Sequence, residues 1–176
     1  DVRVPTVRHA QESVYETDEA MELERVLIAV AQPSRESLVR SALVTELLGY
    51  DVNDILSLVE SGQPWDDRLE HFHRYHERWR VAGFMRMFRE LAGTEKIFQR
   101  LLGYTDGERR LTNLLHLAER IEAVFGRHGD IPAVLKWLAS VRDRPPPGDE
   151  EALLRLESDQ DRVRIVTLHA SKGLQY

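Results

Sequence analysis

The residues best suited to chemistry lie at the C-terminal end of the chain. Thr167 and His169 end a nearly continuous run of Val, Ile, Leu and Thr, which is typical of a β-strand covered on both faces. Ser171, Lys172 and Gly173 follow in a short turn. Glycine lets backbone N–H groups approach a phosphate and lysine supplies positive charge, so this turn could bind phosphate at the carboxyl end of the strand. An ordinary strand-to-helix turn capped by Ser171 is the alternative.

Three histidines, His71, His73 and His76, form a second candidate site. His73 and His76 are three positions apart and share a helix face, which is a spacing that could bind a metal ion. No further ligand is evident, and the neighbouring residues are charged. We therefore favour a solvated helix face with no metal.

Two groups of carboxylates could be interpreted as acid–base pairs. Both groups lie next to predicted helix N-termini, where negative charge stabilises the helix dipole, and we favour that role. The six residues are Glu16, Asp18, Glu19, Asp149, Glu150 and Glu151.

The tryptophans Trp65, Trp79 and Trp137 could stack on nucleic-acid bases. Packing in the core or at a domain interface is the interpretation we favour for all three. His116 lies on a leucine-rich helix, and we expect it to be partly buried with its ring hydrogen-bonded.

Charge and composition restrict the possible functions. The chain has 176 residues and a net charge of -6, whereas non-specific DNA binding requires an excess of Lys and Arg. Any DNA contact must therefore be local. The absence of cysteine excludes disulfides and thiol nucleophiles, and the phosphate-binding pattern Gly-x-x-x-x-Gly-Lys-Ser/Thr is absent.

The chain has no secretory leader and no apolar stretch near the ~20 residues of a membrane span. We expect a cytoplasmic protein without membrane contact. Because the sequence starts without Met on a strand-like run and stops directly after a turn, we also expect an internal piece of a longer protein.

Hydrophobic periodicity predicts a mainly α protein with short strands at both ends. Helices are predicted over residues 18–31, 35–48, 53–59, 66–81, 84–91, 95–102, 106–125 and 131–141. Strand-like segments are predicted over residues 2–7, 13–15, 152–156 and 163–168. This order indicates a helical domain inserted into a parallel-sheet domain.

The sequence of residues 167–176, Thr-Leu-His-Ala-Ser-Lys-Gly-Leu-Gln-Tyr, resembles motif V of the superfamily 1A DNA helicases, the UvrD/Rep/RecB group. Residues 111–119 and 155–159 are similar to RecB-type members, as are residues 13–20 and 38–43. The resemblance implies a helical 2B-like insertion domain over 46–155, flanked by short β-strands of a RecA-like α/β domain, 2A, over 1–45 and 156–176.

The resemblance also implies roles for the residues that match motif V. Thr167, His169 and Ser171 would contact single-stranded DNA. Lys172, Gly173 and Gln175 would couple the nucleotide site to that contact. The family has Glu where this chain has Gln175, which puts the contact with the nucleotide sugar in doubt. A second departure is Glu16-Thr17, where UvrD-type helicases carry an arginine, so no arginine finger is assigned.

For the parent protein the resemblance implies an ATP- and Mg²⁺-dependent DNA helicase and exonuclease in double-strand-break repair and recombination, working with DNA and with RecC- and RecD-like subunits. We expect the chain alone to have no catalytic activity, because no Walker or nuclease motif is present. We also expect it to be a monomer without bound cofactor. The alternative is a free-standing helical protein-interaction module. A reading frame that continues beyond Tyr176 would favour the helicase.

Overall fold

The computed structural model describes residues 13–126 and 129–154, together with the backbone of two short strands. The predicted mainly helical fold is confirmed. The described part contains eight α-helices: α1 (Asp18–Ala31), α2 (Glu36–Leu43), α3 (Val52–Ser61), α4 (Gln63–Ala82), α5 (Phe84–Thr94), α6 (Ile97–Leu101), α7 (Gly107–Phe125) and α8 (Ile131–Asp143). Single 3-10 turns occupy Val14–Glu16 and Glu150–Ala152.

The two strands are β1 (Thr6–Arg8) and β2 (Val163–Ile165), which pair in parallel. Thr6 is in register with Val163, and Arg8 with Ile165. Between them in sequence, Ser13 forms an isolated antiparallel bridge with Leu153. The helical body is therefore closed by a contact between residues at its two ends.

The strand predicted over residues 13–15 is wrong. Ser13 instead caps the 3-10 turn, because its hydroxyl accepts the Tyr15 N–H and the Glu16 carboxylate accepts the Ser13 N–H. Of the strand predicted over 152–156, the described residues retain only the bridge at Leu153.

The helix predicted over residues 35–48 ends early, at Leu43. Thr45 turns its hydroxyl back onto the Ala42 carbonyl oxygen at 2.7 Å. The buried Glu22 carboxylate of α1 then accepts the backbone N–H groups of Glu46 and Leu47. A contact between distant segments therefore replaces the last helical turn.

Helix α1 lies at the centre of the core. It packs against α2, α4, α7 and α8, and eight of its fourteen residues are buried. Its apolar residues join one continuous hydrophobic cluster with residues of α4, α7 and α8. The core therefore contains residues from both sides of the domain boundary predicted after residue 45. Among the described residues, no helix is both long and apolar enough to cross a membrane.

Gly107 is required where α7 begins. A Cβ atom at this position would overlap the Leu101 carbonyl oxygen and lie 2.8 Å from the Leu102 Cα. Both atoms belong to the backbone at the end of α6, so neither can rotate away. The absence of a side chain thus allows α6 and α7 to approach closely.

We predict that Gly107→Ala lowers the free energy of unfolding by about 1 to 3 kcal/mol, because the added methyl overpacks a backbone contact. Gly93→Ala is the matched control, since its Cβ would meet nothing within 4 Å inside helix α5. That control should be neutral or stabilise by up to about 1 kcal/mol. Urea denaturation of both variants measures the difference, and equal stability would contradict the role given to Gly107.

Candidate functional site

The residues predicted to contact DNA or couple to nucleotide all lie outside the described residues. Strand β2, at Val163–Ile165, is the last described element before them. Their roles stay predictions. The residues concerned are Thr167, His169, Ser171, Lys172, Gly173 and Gln175.

Within the described residues, a group of exposed arginines lies on the hairpin of helices α4 and α5. The two helices pack together and are joined by Gly83 alone, whose φ of 90° lies in the region that favours glycine. Arg74 and Arg78 of α4 both reach Glu90 of α5, with N–O distances of 3.3 and 2.6 Å. One carboxylate thus binds two guanidinium groups.

Arg86 and Arg89 extend this surface along α5. Both side chains are exposed, and neither has an ion-pair partner among the residues described. They line a cleft of about 270 Å³ that also borders Gly83 and Glu122. We call Arg74, Arg78, Arg86, Arg89 and Glu90 the arginine face; four arginines and one carboxylate give it a local charge of +3.

The arginine face has the chemistry of a phosphate contact. Guanidinium groups offer planar pairs of N–H donors that match phosphate oxygens, and they stay charged at all physiological pH values. In a chain of net charge -6, this is a local concentration of positive charge. No pattern described above predicts the arginine face, although Arg86 and Arg89, three positions apart on one helix, could have indicated it.

A second polar cluster closes the helical body, and we call Tyr15, His116, Arg120, Asp149 and Glu151 the Arg120 clasp. Arg120 of α7 donates from Nε to the Tyr15 hydroxyl at 3.0 Å and from Nη2 to the Asp149 carboxylate at 3.0 and 3.2 Å. Arg120 also forms an ion pair with Glu151, and Tyr15 donates to Asp149 at 3.4 Å.

His116 joins the Arg120 clasp through the backbone. Its Nε2 lies 2.6 Å from the Glu151 carbonyl oxygen, and since a carbonyl only accepts, the ring donates from Nε2. His116 is buried, more deeply than the partial burial expected from sequence. The segment carrying Asp149 and Glu151 is thereby fixed to one face of α7.

Electrostatics keep the Arg120 clasp charged. Burial disfavours the charge of Arg120, but its contacts with Tyr15, Glu151 and Asp149 outweigh burial and raise its pKa. Burial also raises the pKa of the Tyr15 hydroxyl, against the opposing effect of Arg120. The phenol therefore stays protonated and can donate to Asp149.

The buried carboxylates of the body have structural partners. Glu19 accepts from Arg110 Nε at 2.8 Å and from Asn113 Nδ2 at 3.1 Å, and Arg110 also pairs with Glu46 at 2.5 Å. Burial disfavours the charge of Arg110, but its bonds to Glu46 and Glu19 prevail and raise its pKa.

Glu95 is the centre of a similar buried group. Arg68 donates to both of its carboxylate oxygens, at 2.8 and 2.9 Å, and the Tyr75 hydroxyl donates to it at 2.7 Å. Burial, together with the nearby Glu95 charge, raises the pKa of the Tyr75 hydroxyl. The carboxylates of Glu19 and Glu95 therefore hold helices together and are occupied by structural partners.

The predicted acidic groups have structural roles. Asp18 and Glu19 lie in the first turn of α1, as predicted, and Glu19 turns inward to Arg110. Glu16 completes the cap of Ser13. In the other group, Glu150 lies in the first turn of the 3-10 segment, whereas Asp149 and Glu151 bind Arg120.

The predicted packing role of the tryptophans is confirmed. Trp65 and Trp79 are buried, and Trp137 packs edge-on against Tyr15 and Phe125. Trp137 is partly buried. Trp65 donates to Glu36 at 3.3 Å, so its indole N–H is satisfied.

The histidines do not converge. His73 is exposed, whereas His76 directs Nδ1 to the Val30 carbonyl oxygen at 3.0 Å and so joins α4 to α1. In the described segments, no group of three or more His, Asp or Glu side chains is arranged to hold a metal ion.

No protein-family model matches the chain. It is similar to RecBCD enzyme subunit RecB of Escherichia coli, 39% identical over 94% of this chain and 14% of that protein. The RecB subunits of Haemophilus influenzae and Mycolicibacterium smegmatis are 33% and 32% identical over 94% and 98% of the chain. The chain spans only 14% to 16% of the length of these curated relatives.

We predict that Arg120→Met lowers the free energy of unfolding by about 1 to 3 kcal/mol, because it leaves Asp149 and Tyr15 without their buried partner. Arg109→Met is the matched control, since Arg109 pairs with Asp106 on the exposed surface and such pairs contribute about 0 to 1 kcal/mol. Urea denaturation compares the two variants. Equal losses would show that the Arg120 clasp adds no stability beyond a surface ion pair.

Proposed function

Because this chain is homologous to a segment of the RecB subunit, we propose that it is part of an ATP-dependent DNA helicase and exonuclease acting in double-strand-break repair and recombination. The observation that carries the proposal is 39% identity over 94% of the chain. The resemblance of residues 167–176 to motif V is consistent with the proposal.

In this proposal residues 46–155 form the inserted 2B-like domain, and residues 1–45 and 156–176 belong to the RecA-like domain 2A. Helices α1 and α2 would then be the part of 2A on which the inserted helices pack. The packing of α1 against α4, α7 and α8 is consistent with such a shared core. The parallel pairing of β1 with β2 is consistent with strands of one sheet on either side of the insertion.

We further propose that the motif V segment couples ATP to DNA. Thr167, His169 and Ser171 would contact the single strand, and Lys172 and Gly173 would respond to the nucleotide. An element that contacts both ligands can transmit the state of one to the other. Gln175 can hydrogen-bond a sugar hydroxyl as the family's Glu does, without its charge. ATP and Mg²⁺ would be bound largely by other parts of the parent protein.

The arginine face is the proposed contact with duplex DNA. Arg74 and Arg78 share the Glu90 carboxylate, whereas Arg86 and Arg89 are exposed beside Glu122 and form no ion pair among the described residues. Phosphate contacts position a protein on DNA without reading sequence, which suits a helicase that moves along any duplex. RecC- and RecD-like subunits would be its protein partners in the parent assembly.

We predict that the chain binds a forked duplex weakly at low salt and that Arg86→Ala with Arg89→Ala reduces this affinity by about tenfold. Loss of two phosphate contacts should also lower the slope of log K against log salt by about two. The matched control is Arg25→Ala with Arg35→Ala, which removes equal charge from exposed positions on other segments.

Fluorescence anisotropy at low and moderate salt measures these affinities. Equal losses in the two double variants would refute the arginine face and leave only an effect of net charge. Lys172→Ala should weaken binding to the fork more than binding to a blunt duplex. If no DNA binds at either salt, the described body has no DNA contact of its own.

We predict that the chain alone neither hydrolyses ATP nor degrades DNA, because its sequence lacks the phosphate-binding loop and a nuclease motif. Phosphate release is measured with Mg²⁺ and single-stranded DNA, and nuclease activity with a labelled duplex. Turnover that co-elutes with the chain and disappears in Lys172→Ala would contradict this.

A further inference from the structure

Helix α3 has more apolar surface than the helical body uses. Five of its ten residues are apolar, yet only Ile55 is buried and Leu58 is half-buried against the core. Helix α3 packs against α4. The other three apolar residues of the helix have no apolar partner that covers them.

These three residues, which we call the α3 stripe, are Val52, Leu56 and Val59, with exposed fractions of 66%, 53% and 37%. Their spacing of i, i+4 and i+7 places them along one line of the helix. At 100° per residue, the apolar residues of α3 cover an arc of about 160°, wider than the stripe of about 100° that one contact with a core requires. The excess forms a second apolar surface.

The segment that contains the α3 stripe is acidic. No Lys or Arg occurs between Asp51 and Asp67, whereas five carboxylates do: Asp51, Asp54, Glu60, Asp66 and Asp67. Asp51 and Asp54 accept each other's backbone N–H groups in a capping box, and neither forms an ion pair with the described residues. The next residue, Arg68, is held by Glu95 and Tyr50 and points its charge into the body.

We propose that the α3 stripe docks an amphipathic α-helix of a partner polypeptide, one with an apolar stripe flanked by Lys or Arg. Val52 to Val59 spans about 10 Å along the helix axis, two turns, which suits ridge-into-groove packing by a second helix. The acidic surroundings attract a basic segment and repel nucleic acid. This inference rests on the proposed function only in assuming that the parent works within an assembly.

The test uses the whole chain and a synthetic helical peptide of about 18 residues, five turns, with leucines on one face and lysines elsewhere. A peptide of the same pattern with glutamates in place of lysines is the charge control. The α3 variant is Val52→Ser, Leu56→Ser and Val59→Ser. Its matched control is Val81→Ser, Leu102→Ser and Val124→Ser, at positions that are 66%, 53% and 47% exposed outside α3.

We expect the lysine peptide to bind saturably in fluorescence anisotropy, and the α3 variant to weaken binding by about tenfold, the effect of truncating central contact residues. The control variant and the wild type should bind equally. All six substitutions are at exposed positions, so thermal unfolding should show both variants folded.

Three results would overturn the proposal: no binding, equal binding by the α3 variant, or equal binding by the glutamate peptide. Sedimentation that shows a dimer of the chain, lost in the α3 variant, would instead make a second copy the occupant. Anisotropy with the forked duplex separates this inference from the proposed DNA contact. The α3 variant should bind DNA as the wild type does, whatever it does to the peptide.

Discussion

The burial of helix α1 together with two of its carboxylates is the constraint that arranges the rest of the fold. A buried carboxylate without partners destabilises a protein by several kcal/mol, so each carboxylate needs hydrogen-bond donors. Arg110 and Asn113 of α7 donate to Glu19, and the backbone N–H groups of Glu46 and Leu47 donate to Glu22. These contacts join α7 to α1 and hold the turn after α2 against α1.

Buried and exposed charges have different roles in this chain. Arg68, Arg110 and Arg120 are largely buried, and each forms an ion pair with a carboxylate from a distant segment. The surface is left with a basic region on the α4–α5 hairpin and an acidic, partly apolar region on α3. A net charge of -6 therefore conceals two surfaces of opposite chemistry, and the same small body can offer sites for a polyanion and for a basic polypeptide.

Local signals predicted most helices because the apolar period and the caps agree, as at Thr17, whose hydroxyl accepts the Ala20 N–H at the start of α1. Prediction failed at residues 13–15, where a local cap by Ser13 replaces a strand, and after Leu43, where the distant Glu22 decides the backbone. The arginine face escaped prediction for the latter reason, since Glu90 meets arginines from another helix only after the chain reverses at Gly83. The motif V residues could be recognised only by resemblance, because a Ser-Lys-Gly turn alone is also an ordinary helix start.

The bridge between Ser13 and Leu153 has a consequence for the chain on either side of the helical body. The entropy needed to close a loop grows with the separation of its ends along a flexible chain. Here the two ends of the helical body are in contact, so the body connects the flanking segments as a very short loop would. A helical body attached in this way can change in length or surface during evolution while the flanking strands keep their alignment.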